Sequence, residues 1–164
     1  LAKLNSNKNY IGVDIKGSRM YIGAKEALTK NLNNVGFLRT RIDFIDKCFG
    51  KNEIDEIWLT FSDPQAKKPR KRLTSPLFLE RYRNLLKSKG LVHLKTDSTL
   101  LYEYTIEEIQ KNNYTLIYQS DKIYEELDIL KTQEEREVLK IRTHYEKLFS
   151  EKGHSIKYCC FLIN

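Results

Sequence analysis

The 164-residue sequence predicts an α/β domain built on a mainly parallel sheet. Three observations carry this expectation. Apolar runs of strand length alternate with stretches of helical period. The junctions between them are short turns marked by Gly, Pro, Asn or Ser. Acidic residues fall where the predicted strands end, and open α/β sheets bind ligands beyond the carboxyl ends of their strands. The length fits a single domain, residues 1–164, with a sizeable core.

Leu1 to Leu4 reads as the tail of a helix stopped by Asn5, Ser6 and Asn7, so residues upstream of Leu1 are expected. Tyr10 to Ile15 is a short, mostly apolar strand with Asp14 near its end. Gly17 and Ser18 open a helix to about Leu32, with Met20, Ala24, Ala27 and Leu28 on one face. Asn33 and Asn34 stop it. Val35 to Leu38 is a strand, and Asp43 to Phe49 a short helix. Ile54 to Phe61 is a strand broken by Ser62, Asp63 and Pro64. Pro76 sits where a helix start tolerates proline, and Gly90 follows that helix's end. Phe78, Tyr82, Leu85 and Leu86 form its buried stripe. Leu91 to Thr96 is a strand ending at Asp97. A helix runs from about Ser98 to Lys111, and Tyr114 to Gln119 is a strand. Lys122 to Phe149 is charged and reads as mostly helical, with Thr143 to Glu146 inside it and Gly153 ending it. Ile156 to Ile163 is the last strand. One of the final two strands is expected to run antiparallel at the sheet edge.

The stretch from Ile57 to Thr74 carries the densest chemistry. Its apolar strand ends at the carboxylate of Asp63, and five of the six positions after Ala66 are cationic: Lys67, Lys68, Arg70, Lys71 and Arg72. A carboxylate at the mouth of a sheet beside a polycation suits a site acting on a polyanion, with the cations holding phosphates. An acidic strand cap beside a solvated basic loop accounts for the same residues.

Composition points the same way. The net charge is +7, which makes an anionic partner plausible. Nucleic acid fits better than membrane, because the sequence has no apolar run of about 18 residues and no signal-peptide pattern. The three cysteines are Cys48, Cys159 and Cys160. An odd number with two adjacent is a poor disulfide framework and points to a reducing cytoplasm. They read as small buried hydrophobes. His93, His144 and His154 are scattered, no Cys/His cluster has zinc spacing, and no metal is expected. No P-loop pattern appears.

Three runs in order resemble the bacterial tRNA (guanine-N7)-methyltransferases. The first is Thr60, Phe61, Ser62, Asp63 and Pro64 with Lys67, Lys68, Lys71, Arg72, Leu73 and Thr74. The second is Leu94, Lys95, Thr96 and Asp97. The third runs from Thr143 through His144, Tyr145 and Glu146 to Phe149. With Tyr10 to Ile15 as the family's ribose-acid strand, the resemblance covers nearly the whole chain. It implies a Rossmann-like class I S-adenosylmethionine-dependent methyltransferase fold, a mainly parallel sheet with helices on both faces. The first strand and glycine-rich motif would then precede Leu1, because that turn lies about 20 residues before the ribose acid.

The resemblance implies methyl transfer from S-adenosylmethionine to N7 of a guanine in the tRNA variable loop, in the cytoplasm, with no membrane and no metal. Carried over by position, Asp14 holds the cofactor ribose and Asp63 is the catalytic and cofactor-side carboxylate. Lys67 contacts substrate, Asp97 meets the guanine or nearby RNA, and Thr143, His144, Tyr145 and Glu146 close over it. Lys68, Arg70, Lys71 and Arg72 contact RNA phosphates. The sequence departs from the family in having Gln65 where a tryptophan follows Asp-Pro, and in a shorter basic loop. Arg41 stands where an acid or amide meets the cofactor base, with Asp43 two residues on as a substitute. Guanine N7 carries a lone pair and no proton, so a carboxylate is needed for the cationic product rather than as a base. Tyr145 and Phe149 are candidates to stack on an unstacked base, although aromatics at helical spacing are more often core. A non-catalytic RNA-binding protein with this sheet and loop is the alternative.

Overall fold

The computed structural model describes residues 1–129, 132–143, 146 and 155–163. The chain forms two compact units, Leu1–Cys48 and Phe49–Asn164.

In the first unit, β1 (Tyr10–Asp14) and β2 (Val35–Arg39) pair in parallel, with Tyr10 opposite Val35 and Asp14 opposite Arg39. A parallel pair needs a crossover, which α1 (Gly17–Thr29) supplies. The helix comes close to β2 at Gly23, where an added Cβ would lie 2.8 Å from the Phe37 ring. It ends before the expected stop. Asn31 takes φ 51°, and the amides of Asn31 and Leu32 close back on Leu28 and Ala27, a left-handed cap that satisfies the last carbonyls. Leu1 to Leu4 forms a turn rather than a helix tail. Asn34 ties it down, its Nδ2 lying 2.9–3.0 Å from the carbonyls of Ala2, Asn5 and Lys8. The short helix expected from Asp43 is a 3-10 helix, Ile42–Lys47.

The second unit holds β3 (Ile54–Thr60), α2 (Pro76–Leu85), β4 (Leu86–Thr96), α3 (Thr99–Lys111), β5 (Thr115–Ser120), α4 (Gln133–Lys140) and β6 (Lys157–Leu162). Their sheet order is β3-β4-β6-β5. β3 and β4 are parallel, and β6 runs antiparallel to both neighbours. An antiparallel strand was expected at the edge; it lies inside the sheet, and β5 takes the edge.

Two boundaries differ from expectation. β4 follows α2 directly and includes Gly90, because Lys87 to Lys89 bulge out of the ladder. Ile54 pairs with Leu86, yet Glu56 already pairs with Leu91. Lys89 adopts φ 65°, and Gly90 has no room for a Cβ, which would sit 2.9 Å from Leu86 Cδ2 and the Lys87 carbonyl. The long charged helix is also broken. Only α4 is helical within 132–143, and Ile141 leaves it in an extended conformation. Phe149 and Gly153 lie outside the described residues.

Side chains alternate across this sheet. Tyr158 and Cys160 pack with Ile123, Leu139 of α4 and Ile156, and Trp58, Leu91, Tyr118 and Tyr124 lie against that cluster. Val92, Leu94, Cys159 and Phe161 point the other way and are fully buried, with Phe161 stacked on Tyr114 just after α3.

Candidate functional site

Asp63 sits in the turn that leaves β3. The Phe61 amide still bonds to the Lys95 carbonyl at 2.9 Å, so the ladder holds the chain up to that point. Phe61 then takes φ 50° and Gln65 φ 46°. Neither is glycine, and a bulky residue in the left-handed region is strained. Such strain clusters at functional sites. Asp63 itself is exposed, and its Oδ1 accepts the Gln65 amide at 2.8 Å, which fixes the carboxylate at the tip of the turn. Its Oδ2 meets no described residue.

The basic loop divides by geometry. Lys67, Lys68, Arg70 and Lys71 are exposed and form no ion pair with a described residue. Arg72 is 5% exposed. Its Nε donates to the Pro64 carbonyl at 2.9 Å, and its guanidinium lies 4.3 Å from the centre of the Tyr104 ring. Arg72 therefore closes the loop that starts at Asp63, where the sequence had grouped it with the phosphate contacts.

Asp97 occupies the junction of β4 and α3. Ser98 caps α3 by accepting the Leu101 amide at 3.2 Å. The buried ammonium of Lys157 lies 3.5 Å from the Asp97 carbonyl and is also held by Ser155. The Asp97 carboxylate is half-buried and bonds to no described residue.

Thr143 and Glu146 answer one another. The Thr143 amide donates to Glu146 Oε2 at 3.0 Å, and the Glu146 amide donates to Thr143 Oγ1 at 3.2 Å. These are the reciprocal bonds of a capping box. Glu146 is completely buried, and its other oxygen pairs with Lys95 Nζ at 3.0 Å and accepts the Tyr124 hydroxyl. Lys95 is 4% exposed. Its ammonium also donates to the Tyr124 hydroxyl at 3.0 Å, the Leu139 carbonyl at 2.9 Å and the Ile141 carbonyl at 3.1 Å. Burial pushes its pKa down, opposed by the Glu146 charge. His144 and Tyr145 lie outside the described residues.

In the first unit, Asp14 ends β1, and its Oδ1 accepts the Lys16 amide at 2.8 Å, with Arg19 3.8 Å from Oδ2. Asp43 is engaged by Arg41, whose Nη2 and Nε lie 2.9 and 3.3 Å from one carboxylate oxygen.

The sequence reading missed Lys95. A lysine inside a strand signals nothing by itself, since lysines are almost always exposed. The capping box was legible as Thr-x-x-Glu at Thr143, and again at Thr132, where the same reciprocal bonds start α4. No described helix is long and apolar enough to cross a membrane, and no three metal-ligating side chains converge among the described residues.

Residues 1–159 match a family model described as "Putative methyltransferase". The chain is 46% identical to a tRNA (guanine-N(7)-)-methyltransferase of Bacteroides fragilis, over 99% of its own length and 62% of the relative's. It is 43% identical to one of Christiangramia forsetii, covering 99% of the chain and 71% of the relative. It thus spans about three fifths of the length of the first of these. Among solved structures, a SAM-dependent methyltransferase from Aquifex aeolicus superposes with a TM-score of 0.62 at 12% identity, covering 99% of this chain and 73% of that one. A precorrin-6y C5,15-methyltransferase from Geobacter metallireducens gives 0.58 at 10%, covering 97% and 69%. At such identities the likeness is one of fold, the Rossmann-like class I methyltransferase fold.

Proposed function

Since the chain belongs to the tRNA (guanine-N(7)-)-methyltransferase family, we propose that the protein methylates N7 of a variable-loop guanine in tRNA, in the cytoplasm, with S-adenosylmethionine as donor. The observation that carries this reading is the strained turn that presents Asp63 beside four exposed cations that form no ion pair with a described residue. A polyanion is drawn to those cations, and the carboxylate at the turn's tip faces the charge that alkylation creates.

The residues present fit the cofactor. A strand-end carboxylate is the group that accepts ribose hydroxyls, and Asp14 stands at the end of β1 with one carboxylate oxygen held by the Lys16 amide. Asp63 serves both cofactor and base, and Asp43 is assigned to the cofactor's adenine side. When bound, S-adenosylmethionine supplies an electrophilic methyl group. Guanine N7 needs no deprotonation, so the chain's work is positioning and electrostatics. Asp63 stabilises the cationic guanine ring, Asp97 hydrogen-bonds the base or its neighbours, and Lys67 contacts substrate. Lys68, Arg70 and Lys71 hold phosphates. Thr143, His144, Tyr145 and Glu146 are assigned to the substrate side, with Glu146 acting from its buried position.

The test is methyl transfer from labelled S-adenosylmethionine to unmodified tRNA, with the modified base identified as 7-methylguanine. Methylation at another atom, or none while tRNA still binds, overturns the reading and favours a non-catalytic RNA-binding protein.

A further inference from the structure

Lys95 makes a join that no role above requires. Its ammonium takes the carbonyls of Leu139 and Ile141, at and just past the last turn of α4, where helix carbonyls lack partners. It also takes the buried carboxylate of Glu146, whose second oxygen holds the Thr143 amide. Tyr124 fills the remaining corner. Its hydroxyl accepts from Lys95 and donates to Glu146, and its ring lies 4.4 Å from the Arg142 guanidinium. The three protons of the ammonium are shared among these four acceptors, on Leu139, Ile141, Glu146 and Tyr124. The backbone of Lys95 is fixed in β4, paired with Thr60 on one side and Tyr158 on the other. Asp97 lies two residues further along the same chain.

We propose that Lys95 is a positioning residue for the tRNA substrate. Through Glu146 it fixes the Thr143 hydroxyl and amide relative to the end of β4 that carries Asp97. The inference rests on the functional reading above, in which Thr143 and Asp97 face substrate. It places Glu146 between Lys95 and Thr143, so that its carboxylate serves the substrate without touching it.

The experiment compares Lys95→Met, Thr143→Val and the double variant in the full-length enzyme. It reads KM for tRNA, kcat and calorimetric affinity for S-adenosylmethionine. Each single substitution is expected to raise KM for tRNA about tenfold while leaving cofactor affinity within about twofold. Because Lys95 acts through the Thr143 box, adding Thr143→Val to Lys95→Met should change KM by less than about twofold. A core residue with no positioning role would lower stability and leave KM unmoved. If Lys95→Met fails to fold, Lys95→Met with Glu146→Gln removes both buried charges and is read the same way. An unchanged KM in a folded variant, or effects that multiply, overturns the proposal. So does collapse of both variants, which would assign Lys95 to folding alone. An inactive parent overturns the functional reading and this inference together, whereas an active parent with unaltered variants overturns this inference only.

Discussion

The indole of Trp58 lies flat on the imidazole of His93, with ring centroids 3.9 Å apart and planes 3° from parallel. They are neighbours across the parallel ladder of β3 and β4. Glu56 accepts the indole N–H at 2.9 Å, and His93 Nδ1 meets the Tyr158 hydroxyl at 2.9 Å. One stack thus joins three strands. His93→Ala removes the stack and a partner of a buried tyrosine, and should cost about 2–4 kcal/mol of stability. Trp58 is the sole tryptophan, so its fluorescence during denaturant titration reports the loss directly. A change below about 0.5 kcal/mol would show that the stack is energetically idle.

Asp63→Asn separates chemistry from turn formation. The asparagine oxygen can still accept the Gln65 amide, so the turn should persist and the melting temperature hardly move. Loss of the charge should cost turnover about 2.7–4 kcal/mol, or roughly a hundred- to a thousand-fold in kcat, with tRNA affinity little altered. Near-normal turnover would reduce Asp63 to a turn former.

Neighbours in the basic loop should behave in opposite ways. Lys68→Ala with Lys71→Ala should weaken tRNA binding and flatten its salt dependence by about one unit of slope per lost phosphate contact. Arg72→Ala should leave that slope nearly intact but destabilise the second unit by about 1–3 kcal/mol, because the Pro64 carbonyl and the Tyr104 face lose their partner. Filter binding across a salt series and thermal melts distinguish them.

That contrast marks what the sequence could show. Apart from β4, which starts at Leu86 rather than Leu91, the strands were legible to within about a residue or two from apolar runs and turn formers, and the Asp63 turn from Asp-Pro. Arg72 was not separable from Lys71, because a charge run has no local signal for which member folds back. Gly90 looked like the residue after a helix end and lies at a bulge within β4, since glycine serves both purposes. The capping box at Thr143 was overlooked because the high charge around it suggested one continuous helix. Lys95 and Glu146 were invisible as a pair, being 51 positions apart and brought together only by tertiary packing.

Burial raises the thiol pKa of Cys159, and of Cys160 to about 12. It also raises the phenols of Tyr82 and Tyr158. In each case the folded pKa lies above the unfolded one. The unfolded state therefore loses its proton first, and stability present below the unfolded values is lost as pH rises. Melting temperature should fall from about pH 8.5, where free thiols titrate, through about pH 10, where free phenols do. Cys48 is exposed, so a thiol reagent at about pH 8 should find one fast site in the native protein and three after denaturation. More than one fast native thiol would place Cys159 or Cys160 nearer the surface than the structure does.

The position of β6 has a consequence for how the protein is made. β4 and β5 never touch each other in the ladder; each is zipped to β6. A ribosome delivers residues 115–120 well before residues 157–162, so the nascent β5 lacks its ladder neighbour; even in the folded chain its Leu116 and Ile117 stay exposed. Only when β6 slides between them does the sheet close. The four-stranded sheet thus waits on β6, and the interval before that is when the emerging chain most needs shelter from other unfinished copies of itself.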